Sequence, residues 1–307
     1  MCRMLARYVL RYVSERRTGT VKQMGDNKLV LERGGKRVIA TAKEDTHSAV
    51  VFQPEKRTTD TVAIFVHGYS GIGENLAILA KETAMHGVEA HLLQLPGHGG
   101  PKLDEYDVRA FVEYVKEYAK RVGKNRPILL VGHSLGGELV KLVRKELEKE
   151  GYNVDTVHIA PAGYRDRAVY RILDFFGKTK AGARLAMWST LRKLGREVLK
   201  EVDPRAVAAY GHLLQRYPRR EATREELQSW LRGDYYYGLH DTLVPRDDVV
   251  HRFMRGFPYV KGYKIRDAPG SHDFYLQIKG IVSREIAHAA QKLSSRARQR
   301  NSSAHPR

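Results

Sequence analysis

The 307-residue sequence has a single cysteine, Cys2, so no internal disulfide can close. That economy fits a reducing interior, and a cytoplasmic location is the expectation. No apolar run approaches the roughly 20 residues needed to span a bilayer. The opening stretch "MCRMLARYVLRYVSERR" interleaves arginine with its apolar residues, which is not the clean core of a secretory signal. Acidic side chains are scarce beside basic ones, 35 against 54, leaving a formal charge of +19. Such a balance draws polyanions. However, no zinc-ligand spacing, RNP-like aromatic motif or helix-turn-helix pattern accompanies the charge, so nucleic-acid binding is not expected as the main function. Internal repeats are absent too. Hydrophobic residues nevertheless make up 42% of the chain, which is enough to bury a core.

Strand-like and helix-like segments alternate at short intervals. Leu5, Val9 and Val13 recur at helical spacing beside a row of Arg3, Arg7 and Arg11, predicting a helix or docked arm over about 3–16. The sharper reading of this segment is a basic amphipathic helix on an anionic membrane. "KLVLE", "RVIATA" and "AVVFQ" read as two or three antiparallel strands. Strands in "TVAIFVHG", "VEAHLLQL", "RPILLVGHS" and "VDTVHIAPAG" then alternate with helices in "ENLAILAKETAMHG", "LDEYDVRAFVEYVKEYAKRVG" and "GGELVKLVRKELEKEG". The pattern predicts an α/β fold with a mostly parallel sheet covered on both faces. Over 164–231 only helix-like, arginine-rich sequence appears, which suggests an inserted helical cap. Its Trp188 and Trp230 are candidates for lining an apolar acyl pocket. Strands in "GDYYYG" and "YKIRD" and a last helix follow, while the basic tail 294–307 has no apolar periodicity and is expected to be disordered.

The richest segment is "LLVGHSLGGELV", residues 129–140, where Ser134 stands between Gly132 and Gly136. A glycine two places away on each side lets backbone approach a serine held in a sharp strand-to-helix bend. The following helix begins with unpaired N–H groups and a partial positive charge, so the Leu135 N–H would face an oxyanion formed by attack of Ser134. A serine hydroxyl needs a neighbouring base. In this topology the acid and histidine come later, each after a strand. "LHDTLVP" offers Asp241, which would orient and stabilise an imidazolium. "APGSHDF" offers His272 as general base and then general acid. His240 and Asp273 stand one position away from these, and Asp247 and Asp248 are further acids that also suit a helix start. The loop "FVHGYSG" supplies the Tyr69 N–H as a second oxyanion donor, with His67 read as a buttress of that loop. The remaining histidines are expected to be surface or core residues.

The pieces "VHGYSG" at 66–71, "PGHGG" at 96–100, "GHSLGG" at 132–137, "HDTLVP" at 240–245 and "GSHDF" at 270–274 resemble, in order, the α/β-hydrolase superfamily. Within it they are similar to lidded esterases and monoacylglycerol-lipase-like enzymes. The resemblance implies one α/β-hydrolase domain over 1–307, with a twisted sheet of about eight strands and a cap over the serine. It carries over Ser134, Asp241 and His272 as triad and the backbone of Tyr69 and Leu135 as oxyanion hole. The implied activity is a serine hydrolase of carboxylic esters, of carboxylesterase, lysophospholipase or monoacylglycerol-lipase type. Its substrate would be a small-molecule acyl ester, and no metal or organic cofactor is implied. Thioester, amide or peptide hydrolysis on the same triad is the alternative, or else a basic-surface binding protein on a hydrolase scaffold. The basic termini are candidates for weak association with an anionic membrane surface or nucleic acid. Oligomeric state is left open.

Overall fold

The computed structural model describes residues 19–25, 27–44, 46–68, 73–161, 233–238, 263–268 and 274–304, together with Val13, Asp203, Arg205, Ala206 and Ala209. The expected N-terminal helix apart from Val13, and the expected cap apart from 203, 205, 206 and 209, lie outside the described residues, as do Trp188 and Trp230.

Ten strands form one sheet among the described residues, against the eight or so that the resemblance implies. They are β1 (Thr20–Gln23), β2 (Lys28–Arg33), β3 (Lys36–Glu44), β4 (Ser48–Pro54), β5 (Val62–Val66), β6 (Glu89–Leu93), β7 (Ile128–His133), β8 (Val154–Ile159), β9 (Gly233–Gly238) and β10 (Tyr263–Ala268). Their spatial order is β1-β2-β3-β4-β6-β5-β7-β8-β9-β10. Pairing is antiparallel from β1 through β4 to β6, and parallel from β6 through β5 and β7 to β10. β1 was not legible: its "TVKQ" is largely exposed and has no apolar alternation.

The helices are α1 (Glu74–Met85), α2 (Val108–Gly123), α3 (Leu135–Lys149) and α4 (Lys279–Ala304). The strand period of two divides the β5 side chains between two cores. Ala63 and Phe65 join one core with α1 and α4, through Leu76, Leu79, Val282 and Ile286. Val62, Ile64 and Val66 join the other with α2 and α3, through Phe111, Val115, Leu139 and Val143. Every β5 and β7 residue is therefore buried, as in a sheet covered on both faces. Val13 is buried in the first of these cores.

The tail requires a correction. Residues 294–304 continue α4, where the sequence read as disordered. Leu293 and Ser294 are buried, Arg298 meets Asp60 at 2.7 Å, and Arg296 meets Asp155 at 3.5 Å. Residues 294–304 make about three further turns of helix, which apolar periodicity does not announce. Among the described residues, no helix is long and apolar enough to cross a membrane.

α2 shows how local sequence sets a boundary. Phe111, Tyr114, Val115, Tyr118 and Ala119 form its buried stripe. The Asp107 carboxylate caps its start by accepting from the Ala110 N–H at 2.6 Å, and Lys120 and Arg121 stand in its last turn. Replacing Asp107 by Ala should cost about 1 kcal/mol, read as a lower urea midpoint with an unchanged slope.

Candidate active site

β7 ends at His133, and Ser134 follows as the residue that caps α3 without a side-chain hydrogen bond. Its backbone stands at φ 53° and ψ −118°. A non-glycine residue at positive φ is uncommon and costs on the order of 1–3 kcal/mol, so it persists only where surroundings over-determine it. They do here. The Ser134 N–H donates to the Ile159 carbonyl at 2.9 Å, and the Ser134 carbonyl accepts from the Gly137 N–H at 3.0 Å. A Cβ on residue 132 would run into the Gly136 carbonyl, and a Cβ on residue 136 would run into the Val66 and His67 carbonyls. The two glycines thus let the bend sit directly against the end of β5. Ser134 itself is half-buried, whereas its neighbours on both sides are buried.

The loop leaving β5 closes the other side. A Cβ on Gly68 would lie 3.0 Å from the Ser134 Cβ, so this backbone passes right beside the serine. His67 holds it in place. Its Nδ1–H donates to the Gly68 carbonyl at 2.9 Å, while its Nε2 accepts from the Leu95 N–H at 3.1 Å. Both ring nitrogens are committed to backbone, so His67 is a buttress. Burial pushes its pKa down to about 4, a value at which the backbone bond to Gly68 only partly opposes desolvation.

The Leu135 N–H opens α3, where it has no acceptor one turn back in the helix. Just beyond, the Gly137 carbonyl accepts from His158 Nδ1 at 3.0 Å, and His158 Nε2 accepts from the Thr156 hydroxyl at 2.9 Å. The fully buried His158 also stacks on Tyr235 at 4.4 Å. No motif marks this anchor; its only signal is a histidine between the apolar Val157 and Ile159 of β8.

β9 and β10 run parallel to β7 and β8, so the chain leaves all four strands at the same edge of the sheet. That is the edge where open α/β sheets carry their sites. Asp241 follows β9 closely and His272 follows β10 closely in the chain. Asp241, His272 and Tyr69 lie outside the described residues, as do His240, Asp247, Asp248 and Asp273. Ser134 and Leu135 are described and adjoin at the elbow. Among the described residues, no group of three or more His, Cys, Asp or Glu side chains comes together as a metal set.

A parallel sheet with a strained serine at the crossover after β7 is the architecture of α/β hydrolases. A model described as the alpha/beta hydrolase family matches residues 63–278, and the chain belongs to that family. Hydrolysis is the general activity that this membership supports. Solved structures with the same fold include a monoacylglycerol lipase from Paleococcus ferrophilus, at 15% identity and TM-score 0.57, covering 81% of this chain and 99% of that one. A thermophilic esterase aligns at 19% identity and TM-score 0.56, covering 89% and 99%. A thioesterase domain from the curacin biosynthetic pathway aligns at 14% identity and TM-score 0.52, covering 87% and 99%. A search of curated proteins finds no match.

The buried neutral His67 has a pH signature. In the unfolded chain its imidazole takes a proton near pH 6.5, whereas in the folded chain it does so only near pH 4. The stability that depends on it is therefore complete above pH 6.5, falls as pH drops toward 4, and levels off below. The loss should reach about 3 kcal/mol across that window. Urea denaturation of wild type and His67→Gln between pH 7 and 4 should show a shallower fall in the variant.

Proposed function

We propose that the chain is a serine hydrolase that cleaves carboxylic esters through an acyl-enzyme on Ser134. The carrying observation is the backbone of Ser134, forced to φ 53° at the start of α3 with glycines at the two points of closest backbone approach. An ordinary strand-to-helix turn has no need of that strain.

In this reading Ser134 Oγ attacks the acyl carbon as His272 removes its proton, and Asp241 stabilises the imidazolium that results. The carbonyl oxygen, now negative, is met by the Leu135 N–H, backed by the positive end of α3, and by the Tyr69 N–H. His272 then returns the proton to the leaving alcohol. Water, activated by the same imidazole, frees the acid and restores Ser134. The parallel run of β7 to β10 supports the assignment, because the segments holding Asp241 and His272 follow strands that end at the serine's edge. The fixed tautomer of His67 supports it as well, since that imidazole is occupied at both nitrogens.

Ser134→Ala should lower hydrolysis of short p-nitrophenyl esters by roughly 10⁴-fold or more while keeping a cooperative melt. A fluorophosphonate probe should label wild type on Ser134 alone. Labelling elsewhere, or undiminished turnover in the variant, would remove the mechanism.

The charge of +19 favours a second reading, thioester hydrolysis of anionic acyl-coenzyme A. A panel of acyl-coenzyme A and matched uncharged esters separates the two. A kcat/KM advantage for the anionic substrates that shrinks with added salt supports the thioester, and equal values support the simple ester.

A further inference from the structure

Between β8 and β9 the chain makes its long excursion, and the described part of it is fastened at one place. The nearly buried Asp203 carboxylate accepts from the Tyr106 hydroxyl at 3.1 Å and from Arg205, whose backbone N–H reaches it at 2.9 Å and whose Nη2 reaches it at 3.0 Å. The Asp203 N–H donates to the Gly97 carbonyl at 2.8 Å. Ala206 packs so tightly on Gly97 that a Cβ there would collide with its methyl. Arg205 also lies over the Tyr106 ring at 5.4 Å. Burial alone would raise the Asp203 pKa, but the hydrogen bonds from Arg205 and Tyr106 outweigh it and hold the group ionised.

The loop that receives this clamp is stiff. Gly97 N–H donates to the Pro101 carbonyl at 3.0 Å, and the N–H groups of His98 and Gly100 both donate to the Leu95 carbonyl, at 2.9 and 3.0 Å. Tyr106 braces it further by accepting from the Leu103 N–H at 3.1 Å. Leu95 in turn donates to His67, which bonds the carbonyl of Gly68, the residue whose backbone passes beside Ser134.

We infer that Asp203 is a positioning residue: through the 95–103 loop and His67, its clamp on Gly97 and Tyr106 fixes the backbone that flanks the Ser134 nucleophile. This rests on the serine-hydrolase reading and deepens it. A chain of short hydrogen bonds between rigid pieces displaces its far end when the near end is released. Reacting groups lose rate steeply when misplaced by an ångström. The clamp touches neither serine nor substrate, so its release should change kcat while leaving substrate affinity largely intact.

The experiment compares wild type, Tyr106→Phe, Asp203→Ala, Asp203→Asn and the double variant Tyr106→Phe/Asp203→Ala. Measured quantities are kcat and KM on p-nitrophenyl butyrate and the second-order rate of fluorophosphonate labelling. Thr61→Val is a destabilised control at the amino end of β5, the opposite ends of the strands from Ser134, where it deletes the buried bond from the Thr61 hydroxyl to the Ala290 carbonyl. Tyr106→Phe and Asp203→Ala should each lower kcat and the labelling rate about tenfold, with KM changed less than about twofold. The double variant should be no slower than the slower single one, because both cut one link. Asp203→Asn, which keeps the acceptor for Tyr106, should recover most of the rate, and Thr61→Val should keep full kcat. Unchanged kcat in folded Tyr106→Phe and Asp203→Ala, a change in KM alone, or multiplying effects would overturn the inference. If Asp203→Ala fails to fold, Tyr106→Phe alone decides by the same criteria. Absence of labelling on wild-type Ser134 would instead bring down the hydrolase reading, and the inference with it.

Discussion

The strained backbone at Ser134 is the constraint around which the central strands are arranged. Left alone, a serine at φ 53° would relax toward an ordinary helix start and withdraw its side chain from the carboxyl ends of the central strands. It cannot, because its N–H is tied to β8, its carbonyl to the first turn of α3, and the backbone behind it is pressed against β5. The strain is small beside what holds those strands. Phe65, Leu130 and Val131 are all fully buried, and each such side chain contributes about 1.5–3 kcal/mol. The bend is therefore stable only as part of an intact sheet, which is a reason to have the elbow at its centre and not at an edge.

The helix that follows is held by more than apolar packing. Glu138 and Lys141, both fully buried, pair at 2.9 Å one turn apart. Burial raises the Glu138 pKa and lowers that of Lys141, more than their mutual attraction restores. Such a pair adds little net stability and instead penalises any packing that separates its members. Lys141 also lies 5.6 Å from the Tyr235 ring, on which His158 stacks, and His158 holds Gly137. A rotation of α3 would break these contacts together. The polar seam thereby fixes the azimuth of the helix whose first N–H groups face the serine.

The parts of this architecture that depend on neighbours in the chain were legible in the sequence. Short apolar runs announced β5 and β7, helical periodicity announced α2, and the paired glycines announced the bend at Ser134. Features set by distant partners were not. The clamp on Asp203 joins residues far apart in the chain, and nothing in "EVDPRAV" marks that aspartate among many other charges. Residues 294–304 continue a helix whose buried part, through Leu293 and Ser294, lies before them, and their arginines face Asp60 and Asp155, partners that local composition could not reveal. Buried charge is equally hard to read from local sequence. Lys81 and Glu82 in α1 and Glu138, Lys141 and Arg144 in α3 would each suit a solvated face by sequence, yet all are buried. Histidine was read more safely: His91 donates to Glu89 at 2.8 Å and accepts from Tyr118 at 2.7 Å, a core histidine with both nitrogens satisfied.

The same division explains how a chain can match a family model over 63–278 while sharing only 14–19% of its residues with structures of like fold. Contacts that hold the elbow are mostly backbone to backbone. They require a missing Cβ at 132 and 136 and apolar side chains in the neighbouring strands, and little else. Many sequences meet those terms, so the scaffold tolerates wide change at other positions without losing the bend. Substrate selection must then be sought in what the elbow leaves unconstrained. In this chain the arginine-rich excursion between β8 and β9 is one such segment by sequence, and among the described residues it meets the loop after β6 at Asp203. If the clamp inferred at Asp203 acts as argued, the backbone beside Ser134 would keep a fixed reference point whatever sequence the excursion carries.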